Sequence, residues 1–473
     1  MNKTECKDKE LEFQGAGRRQ VIGEFNGGTI TSDGGALLLR ELEVRRGIIK
    51  QFAACFRDYR KQDQIEHTVT ELIAQRVYGL ALGYEDLNDH DQLRRDPLLA
   101  TIVGKTDPGG EQRRRRQDRG VALAGKSTLN RLELRSDKAE QDGKYKKIAV
   151  ERNEVDKLFV NLFVQAQIDE PERIILDLDA TDDPLHGAQE GRFFHGYYGG
   201  YCYLPLYIFA GDFLLCARLR PANIDGSAGA LDEVKRIVKQ IREQWPQVEI
   251  WLRADSGFAR EEIMVWCEDN GVEYVFGLAQ NARLREEIAR QLEQARLGYE
   301  ITGRAYRVFA DFYYQTLHSW SRRRRVIGKA EHLEKGANPR FIVTSLNWAE
   351  SEARALYEKI YCARGEMENR IKEQQLELFA DRTSAATMKA NQLRLWFSSV
   401  AYLMINEVRH VGLVDTEYAQ AQCSTIRNKL LKIGAQIKIS VRRVTIALAS
   451  SYPYQALFRI VYDRLTQLTP LRC

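Results

Sequence analysis

The sequence of 473 residues has no long hydrophobic segment. No apolar run approaches the ~18–20 residues that cross a bilayer, and the first segment, Met1–Glu10, is too polar for a signal peptide. We therefore expect neither a membrane protein nor a secreted one, but a cytoplasmic protein. Internal repeats and low-complexity linkers are missing from the sequence as well.

Cysteines are few, and their spacing is irregular. No Cys-x-x-Cys pair occurs among the eight cysteines, at positions 6, 55, 202, 216, 267, 362, 423 and 473. A disulfide framework or a structural zinc site would need paired or regularly spaced cysteines. The pattern argues against both and predicts reduced, mostly buried thiols.

The chain also lacks a large excess of charge of one sign, because its formal net charge is only +5. Apolar residues make up 44% and charged residues 29%, which is typical of a globular protein with a sizeable core. Either of two arginine runs alone could be a solvated loop. Both together, one beside Trp320 and several tyrosines, favour contacts with nucleic-acid phosphates. The runs are Arg113, Arg114, Arg115 and Arg116, and Arg322, Arg323, Arg324 and Arg325.

The hydrophobic pattern changes at Pro171. Before it, apolar residues at helical spacing predict a mostly helical region. After it, short apolar runs and the amphipathic stretch Ala230–Gln244 predict the order β-β-β-α-β-α-β, which is a mixed sheet with helices. Alternating residues over Tyr299–Leu346 predict a β-rich insertion, and long helices are predicted over Glu350–Leu378 and Met388–Arg409.

Carboxylates follow two predicted strands and lie on one predicted helix. Asp177 and Asp179 end the first strand and project to the same side of it, Asp255 ends a later strand, and Glu368 lies on the long helix. Each acid alone is most simply a turn, capping or solvated residue. Together, carboxylates from separate elements suit Mg²⁺, and two ions ~3.5–4 Å apart can support in-line phosphoryl displacement. On the same helix, Tyr361, Arg364 and Glu368 are spaced to share one face.

One further motif has the wrong surroundings for its usual role. Gly120–Ser127 satisfies the pattern of a nucleotide-binding P-loop, which needs a buried strand before it and a helix after it. The preceding segment Gln112–Arg119 is too rich in arginine to be a buried strand. We therefore do not expect nucleotide binding.

Taken together, these motifs resemble a DDE-type insertion-sequence transposase, most closely the insertion-sequence-1380 group. The resemblance covers nearly the whole chain. The stretches that carry it are Ile175–Gly187, Gln189–Gly191, Tyr201–Leu206, Arg253–Phe258, Tyr361–Glu368, Gly27–Gly35 and Ser127–Glu133.

The resemblance implies an α/β fold with a ribonuclease-H-like mixed-sheet catalytic core, a β-rich insertion and a mostly helical N-terminal DNA-binding region. The expected segments are the N-terminal region at 1–165, the first part of the core at 170–283, the insertion at 284–347, the second part of the core with the catalytic Glu helix at 348–412, and a C-terminal segment at 413–473.

The resemblance also implies roles for single residues. Asp179, Asp255 and Glu368 match the catalytic metal ligands, with Asp177 as a rival for the first ligand. Tyr361 and Arg364 match a Tyr-x₂-Arg-x₃-Glu signature whose arginine contacts DNA phosphates. The family's usual lysine is replaced by Gln375, and Lys372 and Arg370 are the candidates to substitute for it as DNA contacts. Trp320 is a candidate to stack on an unpaired base while the neighbouring arginines hold phosphate.

The implied activity is Mg²⁺-dependent DNA cleavage and strand transfer, with two ions per site, Mn²⁺ as a substitute and no nucleotide. The implied partners are double-stranded DNA, as terminal inverted repeats and as target, and a second copy of the chain in a synaptic homodimer. The 113 positions from Asp255 to Glu368 leave room for the insertion found in enzymes that cut through a hairpin intermediate. The expected setting is a bacterial cytoplasm, on the nucleoid when bound to DNA. The alternatives are a stand-alone nuclease and a domesticated DNA-binding protein without catalysis.

Overall fold

The computed structural model describes residues 10–133 and 147–469. Cys6, Cys473 and all of the first segment, Met1–Glu10, except Glu10 lie outside these ranges. Within the described ranges, no helix is both long and apolar enough to cross a membrane. The six cysteines in these ranges are free thiols, and all of them except Cys362 are buried.

The N-terminal region is mostly helical, as its periodicity predicts. Local signals fix where its helices begin: Thr68 and Glu71 form a capping box, and Asp96 caps a helix whose first residue is Pro97. The strands are β1 (Leu11–Ala16), β2 (Arg19–Gly23), β3 (Ile30–Thr31), β4 (Phe56–Asp58) and β5 (Ile148–Val150), and the helices are α1 (Leu37–Arg46), α2 (Ile48–Ala54), α3 (Val69–Ala81), α4 (His90–Leu93), α5 (Pro97–Val103), α6 (Lys126–Glu133) and α7 (Arg152–Ala166).

The central part of the chain forms a mixed sheet in the predicted order. Strand β10 is antiparallel to both β6 and β11, whereas β12 is parallel to both β6 and β13. This arrangement confirms the α/β fold class with a ribonuclease-H-like sheet. The elements are β6 (Arg173–Ala180), β7 (Asp183–Pro184), β8 (Phe193–His195), β9 (Gly200–Tyr203), β10 (Leu206–Ala210), β11 (Phe213–Arg218), α8 (Ala230–Gln244), β12 (Glu249–Ala254), α9 (Glu261–Asp269) and β13 (Glu273–Leu278), of which β7, β8 and β9 form a small separate sheet.

The β-rich stretch after β13 continues the same sheet. Strand β17 pairs antiparallel with β13, so the full order runs β11-β10-β6-β12-β13-β17-β15-β14, with β16 paired to β15. The inserted strands therefore share the framework of the core. The elements are α10 (Ala282–Glu287), α11 (Ala289–Thr302), β14 (Tyr306–Tyr314), β15 (Arg324–Leu333), β16 (Gly336–Ala337) and β17 (Arg340–Thr344).

The predicted long helix is helical throughout most of its length, but its winding changes. It begins as α12 (Ala353–Ala355), widens into a π-helical turn at Leu356–Tyr361, tightens at Cys362–Arg364, and continues as α13 (Gly365–Lys372) and a second π-helical turn at Glu373–Glu377. Single π-helical turns are frequent at functional sites. We call the whole run 353–377 the catalytic helix segment.

The two ends of the described chain meet in one core. Helix α14 (Met388–Glu407) is buried along most of its length and packs against α3, and strand β18 (Ala435–Ile439) pairs with β3. A Cβ at Gly35 would lie 1.7 Å from the carbonyl oxygen of Leu430, so only glycine allows this approach. The remaining elements are α15 (Cys423–Ile426), β19 (Val444–Leu448) and α16 (Gln455–Gln467).

The main sheet is covered on both faces. Alternate residues such as Leu176 and Leu252 belong to the core beneath α8 and α9. The residues between them, such as Ile175 and Trp251, pack against Leu356 and neighbouring side chains of the catalytic helix segment. Because successive side chains of a strand point to opposite faces, Asp177, Asp179, Arg253 and Asp255 face the catalytic helix segment.

Candidate active site

The first two carboxylates are neighbours because of the strand register. Arg253 on β12 lies opposite Asp177 on β6 in a parallel pair, so Asp179 and Asp255, each two residues further on, reach the same edge of the sheet. Asp255 also caps the short turn Ser256–Phe258, since its Oδ1 accepts a hydrogen bond from the Gly257 amide at 2.9 Å. Both side chains thus stand where parallel strands end.

A buried ion pair supports this edge. The Arg253 guanidinium donates to Asp177 Oδ1 at 2.5 Å and Oδ2 at 2.7 Å, and it also donates to the carbonyl oxygen of Ile360 at 2.6 Å. Asp177 and Arg253 are both buried. One side chain therefore joins β6, β12 and the catalytic helix segment, and both oxygens of Asp177 are engaged.

The catalytic helix segment approaches the sheet closely at Gly277. A Cβ on Gly277 would lie 2.6 Å from the Tyr361 hydroxyl oxygen and 2.9 Å from the Ser256 amide nitrogen. Real Cβ atoms do not approach other atoms this closely, and so the contact requires glycine. Tyr361 is thereby held beside the turn that follows Asp255.

Arg364 connects the helix carboxylate to the sheet carboxylates. Its guanidinium lies 2.8 Å from Glu368 Oε1 and 3.9 Å from Asp179 Oδ1. The predicted stripe of Tyr361, Arg364 and Glu368 thus faces Asp179 and Asp255. Asp179 and Glu368 thus flank one guanidinium, and the charges of Asp255 and Glu368 both act on Asp179.

The electrostatics agree with a crowded acidic site. Burial raises the pKa of Asp179 to about 6; Arg364 lowers it, and the negative charges of Asp255 and Glu368 raise it further. Burial alone would lower the pKa of Arg364, but the carboxylates of Asp179 and Glu368 outweigh this and raise it. The ionised acids therefore repel one another, and a cation between them is stabilised.

The donor set fits a hard divalent cation. Asp179, Asp255 and Glu368 offer carboxylate oxygens, which Mg²⁺ and Mn²⁺ prefer, and the repulsion among them is what a bound cation would relieve. A second group, Glu373, Glu377 and Cys423, brings its ligand atoms within 4.8 Å of one another. Its acids are already engaged, because Glu373 pairs with Arg409 at 2.9 Å and Glu377 accepts from the Ser424 amide and hydroxyl. This second group is thus part of the core.

A family model described as transposase DDE domain group 1 matches residues 13–470. The chain belongs to that family. Membership confirms the predicted class, a DNA transposase with nuclease and strand-transferring chemistry, and such enzymes use divalent metal ions.

Other comparisons are remote. No curated protein sequence matches the transposase. Among solved structures, a cryo-EM structure of the piggyBac transposase synaptic complex with hairpin DNA is similar over 94% of this chain and 86% of its own, with 14% identity and a TM-score of 0.41. A likeness at that TM-score assigns neither residue roles nor substrate.

The two predicted substitutes for the family's lysine have different surroundings in the structure. Lys372 is exposed on α13. Arg370 instead points into the core, where it pairs with Glu373 and lies 2.8 Å from Asp212. Gln375, at the position of the usual lysine, donates to the Asp182 carbonyl at 2.9 Å. Arg370 is therefore not placed to contact DNA phosphates.

The arginine run after Trp320 divides between core and surface. Arg324 pairs with Glu261 and Glu268, both at 2.6 Å, and Arg325 pairs with Asp311 at 2.7 Å, so neither guanidinium is available to phosphate. Arg322 and Arg323 are exposed.

Trp320 itself is only 6% exposed, and its ring packs edge-on against Tyr314 in the core beneath the sheet. A ring that stacks on an unpaired base needs an open face, and the structure gives Trp320 none. Trp320 is instead a core residue.

Three arginines of the first run, Arg113, Arg114 and Arg115, line a basic groove in the N-terminal region. The groove has a volume of about 730 Å³ and contains Arg60, Arg94, Arg113, Arg114, Arg115 and Arg131 in its walls. Burial, and then the positive charges of Lys105, Arg113 and Arg60, lowers the pKa of His67 beside it to about 3.

Before Gly120 the chain forms a short helical turn at Arg116–Asp118 instead of the buried strand of a P-loop.

Two residues important to the site carried little signal in the sequence. In the sequence, Arg253 stands out only as a neighbour of Asp255, although an arginine within the apolar strand Glu249–Ala254 needs a buried partner. Gly277 lies in an ordinary strand pattern, and nothing local marks its contact with Tyr361. The contacts that make both residues important are with elements that lie far away in the sequence.

The different surroundings of Asp177 and Asp179 predict opposite stability effects. Burial raises the pKa of Asp177 as well, but the hydrogen bonds and charge of Arg253 oppose this effect. Because Asp177→Asn leaves the Arg253 charge buried without a counter-ion, it should destabilise the fold by about 3 kcal/mol. Asp179→Asn should stabilise it by about 2 kcal/mol at neutral pH without metal, because it removes a carboxylate whose ionisation the folded state disfavours. Urea denaturation in EDTA measures both effects.

The pH dependence provides the control. The ionised Asp179 destabilises wild type fully above its folded pKa of about 6, and this penalty disappears below the ordinary value of 3.8. The advantage of Asp179→Asn should therefore vanish in acid. Equal destabilisation by both substitutions at neutral pH would contradict the assignment of Asp177 to structure and Asp179 to the site.

Proposed function

We propose that this transposase binds the terminal inverted repeats of an insertion sequence of the 1380 group and catalyses Mg²⁺-dependent strand cleavage and strand transfer. The observation that carries the proposal is the convergence of three carboxylates on one edge of the sheet: Arg364 lies between Glu368 and Asp179, and Asp255 ends the neighbouring parallel strand and acts on Asp179 through its charge. Carboxylates from separate elements at one point are what metal-assisted phosphoryl transfer requires.

In this proposal Asp179, Asp255 and Glu368 hold the metal, as two Mg²⁺ ions with Mn²⁺ able to replace them. When bound, Mg²⁺ would neutralise the charge that develops on the scissile phosphate and would make the attacking hydroxyl more acidic. Asp177 is not a ligand, because both of its oxygens accept hydrogen bonds from Arg253. Its role is to hold Arg253, and through it the strand ends, in place.

Arg364 is the proposed phosphate contact. Its planar guanidinium can pair with two oxygens of a phosphodiester, as it now pairs with Glu368 and approaches Asp179. If Glu368 and Asp179 held the metal, the Arg364 guanidinium would be available to the DNA backbone. Tyr361, fixed against Gly277, keeps this turn of the catalytic helix segment against the sheet.

We further propose that excision follows a cut-and-paste route through a hairpin, with two copies of the chain at the paired ends. The support is the insertion between Asp255 and Glu368, whose strands β14, β15 and β17 extend the main sheet. The basic groove, together with exposed Arg322 and Arg323, is the proposed surface for the backbone of double-stranded DNA.

Cleavage of end DNA tests the proposal. An end-labelled duplex carrying the terminal repeat that flanks the coding sequence should be cut in Mg²⁺ or Mn²⁺ and left intact in EDTA. Asp179→Asn, Asp255→Asn and Glu368→Gln should each slow cleavage by about a hundredfold or more, while duplex binding persists. A slowly migrating product on a denaturing gel would be the hairpin.

Glu366→Gln is the matched control, because Glu366 is exposed on the same helix two positions before Glu368. It should cut as fast as wild type. Binding without any cleavage by wild type would instead favour the domesticated DNA-binding protein, and undiminished cleavage by the three variants would place the active site elsewhere.

The salt dependence of duplex binding tests the basic groove. Arg114 and Arg115 line the groove and are exposed, and replacing each with alanine should weaken binding and reduce the slope of log K against log salt by about 0.9 per lost phosphate contact. Lys239→Ala, an exposed cation on α8, is the control and should leave the slope unchanged. An unchanged slope in the arginine variants would exclude the groove as the DNA surface.

A further inference from the structure

A short hairpin beside the first catalytic strand is unusually rich in exposed aromatic rings. It consists of β8, β9 and the turn between them, residues 193–203, and we call it the aromatic hairpin. Four of its rings are strongly exposed: Tyr197 at 86%, Phe194 at 59%, Tyr201 at 48% and Phe193 at 41%. Neighbouring exposed aromatics of this kind usually mark a binding surface, because water solvates them poorly.

The rings form an ordered group. Phe194 lies directly opposite Tyr201 in the β8–β9 pair, with ring centroids 5.7 Å apart, and Tyr197 packs edge-on against Tyr198 at 5.0 Å. Their spacing and edge-on geometry are typical of aromatic pairs that hold each other in place. Faces of Tyr197 and Phe194 are left open to solvent.

The hairpin is attached next to Asp179. The Tyr198 hydroxyl donates to the carbonyl oxygen of Ala180 at 3.3 Å, and Ala180 immediately follows Asp179. Tyr198 and Ala180 also pack on the small core of Cys202, Leu204 and Ala222. Burial, and then the nearby charges of Asp182 and Asp179, raises the pKa of Tyr198, which places the base of the hairpin in the field of the catalytic carboxylates.

A cation accompanies the rings. The Arg192 guanidinium carbon lies 4.6 Å from the centroid of the Tyr201 ring, in cation–π contact. Aromatic faces combined with arginine are the chemistry that binds unpaired nucleotides, because the rings stack on bases while the cation attracts the backbone. Paired bases inside a duplex have both faces covered, so only splayed or single-stranded bases can use these rings.

We infer that the aromatic hairpin stacks on unpaired nucleobases of a DNA end held at Asp179, Asp255 and Glu368. The inference rests on the proposed function, and it names the substrate feature that this site recognises. It also replaces Trp320, whose ring is buried, as the residue that stacks on a base. Tyr197 and Phe194, the two most exposed rings, make the contact.

Direct binding measurements test this without catalysis. The probes are a blunt, fully paired duplex and the same duplex with mismatched terminal pairs and 2-aminopurine in the splayed end, both in Ca²⁺ buffer. Wild type should bind the splayed duplex about tenfold more tightly and quench its 2-aminopurine fluorescence. Tyr197→Ala combined with Phe194→Ala should abolish the preference and the quenching.

Two further variants separate stacking from general damage. Tyr197→Phe keeps the ring and should retain both signals, and Tyr462→Ala removes a ring of similar exposure on α16 and should change neither. Because the substituted rings are 48–86% exposed, thermal unfolding followed by circular dichroism should differ little between the variants.

The contrary outcomes are distinct. A splayed-end preference that survives in the double variant, or one lost equally in Tyr462→Ala, would overturn the inference while leaving duplex binding and cleavage intact. A double variant that changes only the oligomeric state would make the hairpin a contact between protein chains. Absence of any DNA binding by wild type would instead refute the proposed function.

Discussion

The active-site edge depends on one buried guanidinium. Arg253 belongs to β12, pairs with Asp177 on β6 and donates to the Ile360 carbonyl of the catalytic helix segment. Asp179 and Glu368 lie on two of these elements, and Asp255 directly follows the third. A charge buried in this way is costly unless it is fully paired, so the pair tolerates little change in register or helix position. The repulsion among the three carboxylates works against the fold, and the Arg253 contacts hold the strand ends and helix together despite it.

The sequence predicts the order of the helices and strands in the core, but it does not predict which distant strands pair with each other. Periodicities of two and 3.6 residues predicted β6, β10, β11, α8, β12, α9 and β13, since these patterns are local. They could not reveal that β17 would join the edge at β13, or that β18 would pair with β3, because such contacts depend on residues far apart in the chain. The predicted stripe of Tyr361, Arg364 and Glu368 appears despite π-helical and tight turns in the same segment.

The roles of individual residues are harder to predict from the sequence than the presence of the motifs. Asp177 and Asp179 share a face and look equivalent in sequence, yet Asp177 is paired with Arg253, whereas Asp179 lies 3.9 Å from the Arg364 guanidinium. Arg324 and Arg325 look like Arg115 and Arg116, but Glu261, Glu268 and Asp311 come to them from other elements and turn them into core residues. Trp320 likewise packs in the core through contacts with other elements. The rings of the aromatic hairpin are spread over a glycine-rich turn and produce no periodic hydrophobic pattern in the sequence. Partners supplied by tertiary structure decided each case.

The central claim is that Asp179, Asp255 and Glu368 form one divalent-cation site. Binding of Mn²⁺ to the protein without DNA, followed by the loss of its free EPR signal, tests this most directly. We predict that wild type and Glu366→Gln bind the ion with the same affinity, and that Asp179→Asn, Asp255→Asn and Glu368→Gln each weaken binding by about tenfold or more. Equal Mn²⁺ affinity in all five proteins would show that these carboxylates do not hold the metal.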